Sequence, residues 1–107
     1  EFIGKRNYKF AVVMKNKLWG LFGIENHQLK IFPNASFLGP CMENLCKINI
    51  GGIYDKIVKK LTGGLWGYVS VDGQIVIEPI YEQAYSFSDG MAAVKLNGKW
   101  GLSIRKG

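Results

Sequence analysis

The fold is decided by a stretch that recurs along the chain, and its clearest copy reads Val94-Lys95-Leu96-Asn97-Gly98-Lys99-Trp100-Gly101. Apolar and β-branched residues lead into Asn97-Gly98, which is a strong signal for a two-residue hairpin turn. A second strand then opens on Trp100-Gly101. The stretch therefore predicts a strand, a tight turn and a returning strand.

The same Trp-Gly pair occurs at Trp19-Gly20 and at Trp66-Gly67. Trp66 lies 34 residues before Trp100, whereas 47 residues separate Trp19 from Trp66. We assign one of the extra residues to the turn at 25–28 and the other twelve to the segment between Gly52 and Trp66. A period of 20–50 residues is typical of repeat arrays. We expect two units, at about 18–52 and 65–98, an insertion at 53–64 and partial units at both ends.

Length and composition place limits on the fold. The 107 residues suit one domain, 1–107, and the 48% of hydrophobic residues argues against disorder. Fourteen glycines suit frequent turns. No apolar run is long enough to form a transmembrane segment. The sequence opens on Glu1 within the repeating pattern, so we expect a fragment of a longer array.

The remaining strand signals are alternating or β-branched runs. They predict strands at 8–15, 18–24, 29–32, 45–50, 65–71, 74–77, 91–96 and 99–104. Turns are expected at Asn16-Lys17 and Asp72-Gly73, and Gly90 is expected to take positive φ. Residues 34–44 are expected to be irregular because Gly39-Pro40 is a strand breaker. Apolar runs such as 12–14 and 75–77 suggest strands that neighbouring units, or another chain, bury on both faces.

The segment from Tyr54 to Leu61 has a different periodicity. Tyr54, Ile57, Val58 and Leu61 are spaced as on one face of a helix. The pattern favours a short amphipathic helix, and the competing interpretation is a strand at 57–61 that pairs with 65–69 across Gly63-Gly64. The fold class predicted is all-β and mainly antiparallel. Tandem hairpin or meander repeats would form a small open β-array or partial barrel, with one short helix or irregular insertion near 53–62.

These residues carry a family resemblance. Gly98-Lys99-Trp100-Gly101, the run from Gly73 to Tyr81 and the run from Phe87 to Val94 resemble the WG-containing repeat, also called the KWG repeat. The match is close from 64 to 101, degenerate from 18 to 52 and absent across 53–61. The resemblance implies a tandem, mostly bacterial, β-repeat protein that acts as a binding or scaffolding array and shares no catalytic residue.

Two roles are open to the three tryptophans. A strand glycine after Trp costs stability unless the next strand or a bulge requires it, which favours packing between units. Exposed indoles would instead stack on a sugar or a base. The candidate binding residues are Trp19, Trp66, Trp100, Tyr68, Tyr81, Lys17 and Lys99.

Side chains for catalysis or metal binding do not converge in the sequence. His27 is the only histidine and lies in a polar turn, while Asp72 and Asp89 occupy turn positions. Cys41 and Cys46 are spaced wrongly for a metal site and are expected to be reduced, small apolar residues. We therefore predict no enzyme, no metal site and no cofactor.

The favoured function is a non-catalytic module that binds a protein or peptide and acts as a scaffold. The alternative is a carbohydrate or cell-wall binding module that uses exposed aromatic residues. The net charge of +6 is moderate and its lysines are dispersed, so nucleic acid is disfavoured. Exposed strand edges predict a homo-oligomer. A cytoplasmic location is slightly favoured, and a secreted or surface location of the parent protein remains the alternative.

Overall fold

The structure is a computed structural model, and it describes residues 10–104. The predicted strand residues Tyr8 and Lys9 and the turn expected at 105–107 lie outside this range. The described chain is built from strands and contains no helix. The twelve strands are β1 (Phe10–Lys15), β2 (Leu18–Gly23), β3 (Leu29–Phe32), β4 (Ala35–Met42), β5 (Leu45–Ile50), β6 (Ile53–Asp55), β7 (Lys60–Thr62), β8 (Leu65–Ser70), β9 (Ile75–Tyr81), β10 (Gln83–Ala84), β11 (Met91–Leu96) and β12 (Lys99–Ile104).

The strands form four antiparallel sheets. Three of them, β1-β2-β3, β4-β5-β8-β9 and β10-β11-β12, follow the chain order, and β6 pairs with β7 in a separate hairpin. Neighbouring strands in each sheet run antiparallel, and none of the four sheets closes into a barrel. The all-β, mainly antiparallel prediction is confirmed, and no sheet of the described range forms a closed barrel.

Two hydrophobic cores lie on opposite faces of the central sheet. Cys46, Ile48 and Val69 face the first core, which also holds Leu21 and Phe32 from the sheet β1-β2-β3. The second core holds side chains from β5, β8, β10 and β11 and from the loop after β10; its buried members are Leu45, Tyr68, Ala84, Phe87, Ala92 and Val94. Because alternate residues of a strand point to opposite faces, β5 and β8 supply both cores.

Burial on both faces therefore occurs in the centre of the chain, not at the runs that suggested it. Val12 and Met14 of β1 are exposed, as are Ile75 and Val76 of β9. Both β1 and β9 are edge strands of their sheets. Within the described chain the runs 12–14 and 75–77 are not buried on both faces, because no described segment packs over these exposed side chains. Their burial by another chain stays a prediction.

Two-residue turns with positive φ connect the strands of the hairpins. Asn16 and Lys17 both have positive φ, at 51° and 66°, between the paired residues Lys15 and Leu18. Asn97 and Gly98 behave alike, at 52° and 76°. Positive φ at both central positions is the type I′ geometry that matches the twist of a hairpin. Gly90 also has positive φ, 77°, as expected.

The segment expected to be irregular is mostly strand. β4 covers 35–42 and pairs with β5, with register shifts on both sides of Leu38. A bulge of this kind lets a strand continue past residues that cannot join the ladder, which is how Gly39-Pro40 is accommodated. The Gly39–Pro40 peptide bond is cis, and Glu43-Asn44 forms another turn with positive φ at both positions.

The cysteines do not match their expected state. Cys41 lies opposite Cys46 in the β4–β5 ladder, and the two form a disulfide. The prediction of two reduced cysteines is wrong, because it treated 34–44 as irregular and so missed the register that brings the two residues together.

The predicted helix at 54–61 is also wrong. β6 and β7 form a hairpin there; Tyr54, Ile57 and Val58 are exposed, with Ile57 at 91%, and Leu61 is half-buried. The competing strand pairing is wrong as well, since β7 pairs with β6 and β8 pairs with β5. Buried Asn49 holds both ends of the hairpin: its side-chain amide donates to the Gly63 carbonyl (3.2 Å), and its Oδ1 accepts from the Gly52 N–H (2.9 Å).

Candidate functional site

The three Trp-Gly pairs begin three strands that differ in what lies beside them. β2 is covered by β3, with Trp19 opposite Phe32, and β8 is covered by β9, with Trp66 opposite Tyr81. β12 pairs with β11 on one side and is an edge of its sheet on the other. Two of the three strands are therefore enclosed, and the third is open within the described chain.

The glycines show how closely a covering strand approaches. A Cβ placed on Gly67 would lie 2.4 Å from the Ile77 carbonyl oxygen and 2.7 Å from the Pro79 nitrogen. On Gly20 it would lie 2.8 Å from the Lys30 carbonyl oxygen. On Gly101 it would meet no atom of residues 10–104 within 4 Å. Glycine after Trp is thus required where another backbone crosses it, and no strand of the described range crosses it at β12.

The open strand carries an apolar surface. Trp100, Leu102 and Ile104 are 49%, 65% and 64% exposed. Natural proteins usually protect a sheet edge with charges, bulges or a covering segment, because its unpaired backbone groups can pair with another strand. We define the β12 edge as residues 99–104 and take it as the candidate interaction site.

A groove runs beside the β12 edge. It has a volume of about 510 Å³ and lies between β12 and the central sheet. Its walls include Val76, Ile77 and Tyr81 from β9 and Ser103 and Ile104 from β12. The edge and the groove together form a continuous, largely apolar surface.

The three indoles have different surroundings. Trp19 contacts Phe37, with ring centroids 5.1 Å apart, and Phe37 contacts Trp66 at 6.2 Å. Trp19 and Trp66 are half-buried in this aromatic row. Trp100 is exposed and contacts Tyr85 at 5.5 Å. Of the predicted tryptophans, Trp100 alone offers much of its ring to a ligand.

The predicted tyrosines lie mainly in the interior. Tyr68 is fully buried, its hydroxyl donates to the Tyr85 carbonyl at 2.6 Å, and its ring packs against Phe87 at 4.8 Å. Burial, with a smaller contribution from Tyr81, raises the pKa of Tyr68 to about 12. Tyr81 is half-buried and reaches the groove beside β12. Tyr68 thus supports the core, and Tyr81 has access to the site.

The predicted lysines Lys17 and Lys99 are exposed and lie at the hairpin ends, next to the β1–β2 and β11–β12 turns. The structure shows no contact that joins them to each other or to the tyrosines. His27 is likewise exposed in a turn, at φ 58°.

Among residues 10–104 there is no cluster of three or more side chains able to hold a metal ion. The same range contains no helix long and apolar enough to cross a membrane.

Sequence reasoning missed two residues of the central sheet. Asn49 is one, and no local pattern marked it as buried. The other is Lys47, whose ammonium lies 5.0 Å from the centroid of the Trp66 ring and donates to the Ala84 carbonyl at 3.1 Å. The signal that could have found both is their position: they face the same side of a strand whose other residues are almost all apolar.

A comparison with family models finds the WG containing repeat at residues 66–100. This match begins at Trp66 and ends at Trp100, so it spans the distance from one Trp-Gly pair to the next and confirms the resemblance there. Searches of curated proteins and of solved structures found no match.

Proposed function

We propose that this chain, whose residues 66–100 form a WG-containing repeat, is a non-catalytic interaction module that binds an extended peptide strand along the β12 edge. The observation that carries the proposal is that no part of residues 10–104 lies over Gly101, whereas backbone crosses Gly20 and Gly67. Within the described residues, β2 and β8 each have a covering strand and β12 has none.

The two covering strands indicate the chemistry of the partner. Each covering strand places an aromatic residue opposite the tryptophan, Phe32 in β3 and Tyr81 in β9, and each contains or precedes a proline. Both run antiparallel to the strand that they cover. The expected partner is an apolar, extended protein segment with an aromatic residue opposite Trp100.

Binding of this kind combines backbone hydrogen bonds with side-chain burial. Strand addition to a sheet edge gives affinity through the main chain and specificity through alternate side chains. Covering Trp100, Leu102 and Ile104 would remove a large apolar area from water, at roughly 25 cal/mol per Å². The groove beside Tyr81 would receive those side chains of the bound peptide that point away from β12.

The experiment uses a synthetic peptide with the sequence of residues 74–81, which is the chain's own covering strand. We expect it to bind the chain, measured by fluorescence polarisation, with a Kd on the order of 100 μM. Gly101→Val should abolish binding, because a side chain there would block the approaching backbone. The variant should remain folded, because a Cβ at position 101 meets no atom of residues 10–104 within 4 Å.

Two controls make the experiment decisive. Lys17→Gln, on the distant β1–β2 hairpin, should leave binding unchanged, and a peptide with Ser in place of Tyr81 should bind more weakly. Equal binding to the Gly101→Val variant would overturn the proposal. Sedimentation of the chain alone tests the other occupant: a dimer that Gly101→Val dissociates would assign the edge to a second copy.

Carbohydrate binding is the second candidate, and the pair Trp100–Tyr85 favours it, since both rings are about half exposed and in contact. Exposed aromatic rings can stack on the apolar face of a sugar. Titration with an N-acetylglucosamine oligomer would then shift the Trp100 indole N–H resonance. Tyr85→Ala should weaken the response and Gly101→Val should not, which separates this candidate from peptide binding.

A further inference from the structure

A second cleft, distant in sequence from the β12 edge, lies beside the hairpin β6–β7. It has a volume of about 530 Å³, within the range of small-molecule sites. Its lining comes from β5, β7, β8 and the segment around β10, and includes Lys47, Lys60, Trp66, Glu82, Gln83 and Tyr85. Asn49 anchors the hairpin that forms one wall, so this wall is tied to the central sheet.

Lys47 is the unusual residue of this cleft. It is half-buried, and burial lowers the pKa of its amine below the ordinary 10.5. Within residues 10–104, no carboxylate pairs with it; its contacts are the Ala84 carbonyl and the Trp66 ring. A partly desolvated cation without a counter-ion is costly, and an anion in the cleft would offset that cost.

The remaining charges of the lining agree with an anionic ligand. Lys60 adds a second cation. Glu82 is the one acidic residue, and its Oε1 accepts a hydrogen bond from the Gly98 N–H at 3.1 Å. The lining therefore carries a net positive charge, and the half-buried charge among its residues is that of Lys47.

The walls offer apolar and planar surface as well. Trp66 and Tyr85 both line the cleft. At the preceding unit junction, Trp19 contacts Phe37 directly, at 5.1 Å. At this junction Lys47 lies against Trp66, and the space between the units is left as the cleft. Trp66 also contacts Phe37, at 6.2 Å, so this junction combines an aromatic contact with a cation and a cavity.

We infer that this cleft binds a small ligand that joins an oxyanion, carboxylate or phosphate, to a planar or apolar body. Lys47 anchors the oxyanion, Lys60 strengthens the field, and the body of the ligand lies against Trp66 and Tyr85. Gln83 supplies a neutral hydrogen-bonding group at the rim. The cleft adjoins the β12 edge through Tyr85, whose ring contacts Trp100, but no residue of 99–104 lines it. Ligand binding in the cleft does not require a peptide at the β12 edge.

The test titrates the full ¹⁵N-labelled chain with four probes: phenyl phosphate, phenylacetate, inorganic phosphate and benzyl alcohol. The readout is the Trp66 indole N–H resonance, assigned with the variant Trp66→Phe. We expect the two aromatic anions to shift it with a Kd of about 1 mM, and benzyl alcohol to bind at least about tenfold more weakly. Inorganic phosphate, which lacks the planar body, should bind more weakly than phenyl phosphate. The tighter of the two aromatic anions distinguishes a phosphate from a carboxylate ligand.

Substitutions of single lysines show which positive charge binds the anion. Lys47→Gln should weaken binding of the aromatic anions about tenfold, and Lys60→Gln by about twofold to threefold. The matched control is Lys59→Gln, which removes an exposed lysine of the same hairpin that does not line the cleft, and it should have no effect.

Three results would overturn the inference. These are an affinity of benzyl alcohol equal to that of the aromatic anions, a Trp66 resonance that does not move up to about 10 mM probe, and a loss of binding in Lys59→Gln as large as in Lys47→Gln. The comparison of probes uses the unmodified chain, so it holds even if Lys47→Gln fails to fold. Gly101→Val should leave the titration unchanged, which separates this site from the β12 edge.

Discussion

The strands that begin at Trp66-Gly67 and Trp100-Gly101 have similar sequences and opposite environments. β8 lies inside a four-stranded sheet with β9 across its glycine, whereas β12 is an edge with open space over its glycine. Two residues after each tryptophan stand Tyr68, fully buried, and Leu102, 65% exposed. The comparison shows that the glycine of a Trp-Gly pair leaves room for a second strand to pair closely. Whether such a strand is present depends on the neighbouring segment of the chain.

The largest difference in stability should come from truncating Tyr68 and Leu102 to alanine. Tyr68→Ala should lower the free energy of unfolding by about 4 kcal/mol, because it empties a packed site against Phe87. Leu102→Ala should change it by less than about 0.5 kcal/mol, since the side chain is already in water. Urea denaturation of both variants measures the contrast, and similar losses would show that β12 is covered in solution.

The glycines provide the next contrast. Gly67→Ala should cost about 3 kcal/mol, because the new Cβ would overlap backbone atoms of β9 that cannot move alone. Gly101→Ala should be neutral to within about 0.5 kcal/mol. Thermal and urea unfolding would measure both, and a costly Gly101→Ala would contradict the open edge.

Gly20 should fall between these extremes. The Cβ of Gly20→Ala would lie 2.8 Å from the Lys30 carbonyl oxygen and 3.0 Å from the flexible end of Ile31. We expect a loss of about 1–2 kcal/mol, since part of the overlap is relieved by a side-chain movement. Measured beside the other two variants, it should give the order Gly67, Gly20, Gly101. Any other order would mean that the covering strand does not determine how much stability each Gly→Ala substitution loses.

The smallest effect concerns the Tyr68 hydroxyl and its titration. Tyr68→Phe should cost about 1 kcal/mol at neutral pH through loss of the hydrogen bond to the Tyr85 carbonyl. The pKa of Tyr68 is raised from 10.0 to about 12 in the folded chain. The stability that this contributes is complete below pH 10 and is lost as pH rises towards 12, because the unfolded chain ionises first.

Between pH 8 and 12, the free energy of unfolding should therefore fall more steeply with pH for the unmodified chain than for Tyr68→Phe. Leu102→Tyr makes a matched control on β12, where an exposed phenol should add no such slope. Parallel curves for the unmodified chain and Tyr68→Phe would contradict the burial of the hydroxyl.

Local signals predicted the hairpins well and the long-range arrangement poorly. Asn97-Gly98 suffices to predict its turn, since Asn and Gly both adopt positive φ readily. Asn16 begins its turn in the same way, whereas the positive φ of Lys17 is set by the two-residue hairpin that it closes. The helix at 54–61 failed because its apolar spacing had no surface to pack on. Residues 51–64 lie between two paired strands, and hydrogen bonds from Asn49 hold their ends.

The candidate sites show the same division. Trp100 could be selected from the sequence, but its exposure depends on the absence of a neighbour beside β12 within the described chain. Lys47 could not be selected, because its role depends on Trp66 and Ala84, which lie 19 and 37 residues away along the chain. Cys41 and Cys46 needed the bulged register of β4 before their pairing could be seen.

The sequence by itself determined the all-β class, the type I′ turns and the spacing of the Trp-Gly pairs, because turn conformation and strand alternation depend on residues close together in the chain. The tertiary structure alone decided which Trp-Gly strand is enclosed and which is open. It also decided that Lys47 lies half-buried against Trp66 with no carboxylate of residues 10–104 paired to it. These properties depend on which strand lies beside which, and three pairs with the same local sequence can differ in that respect.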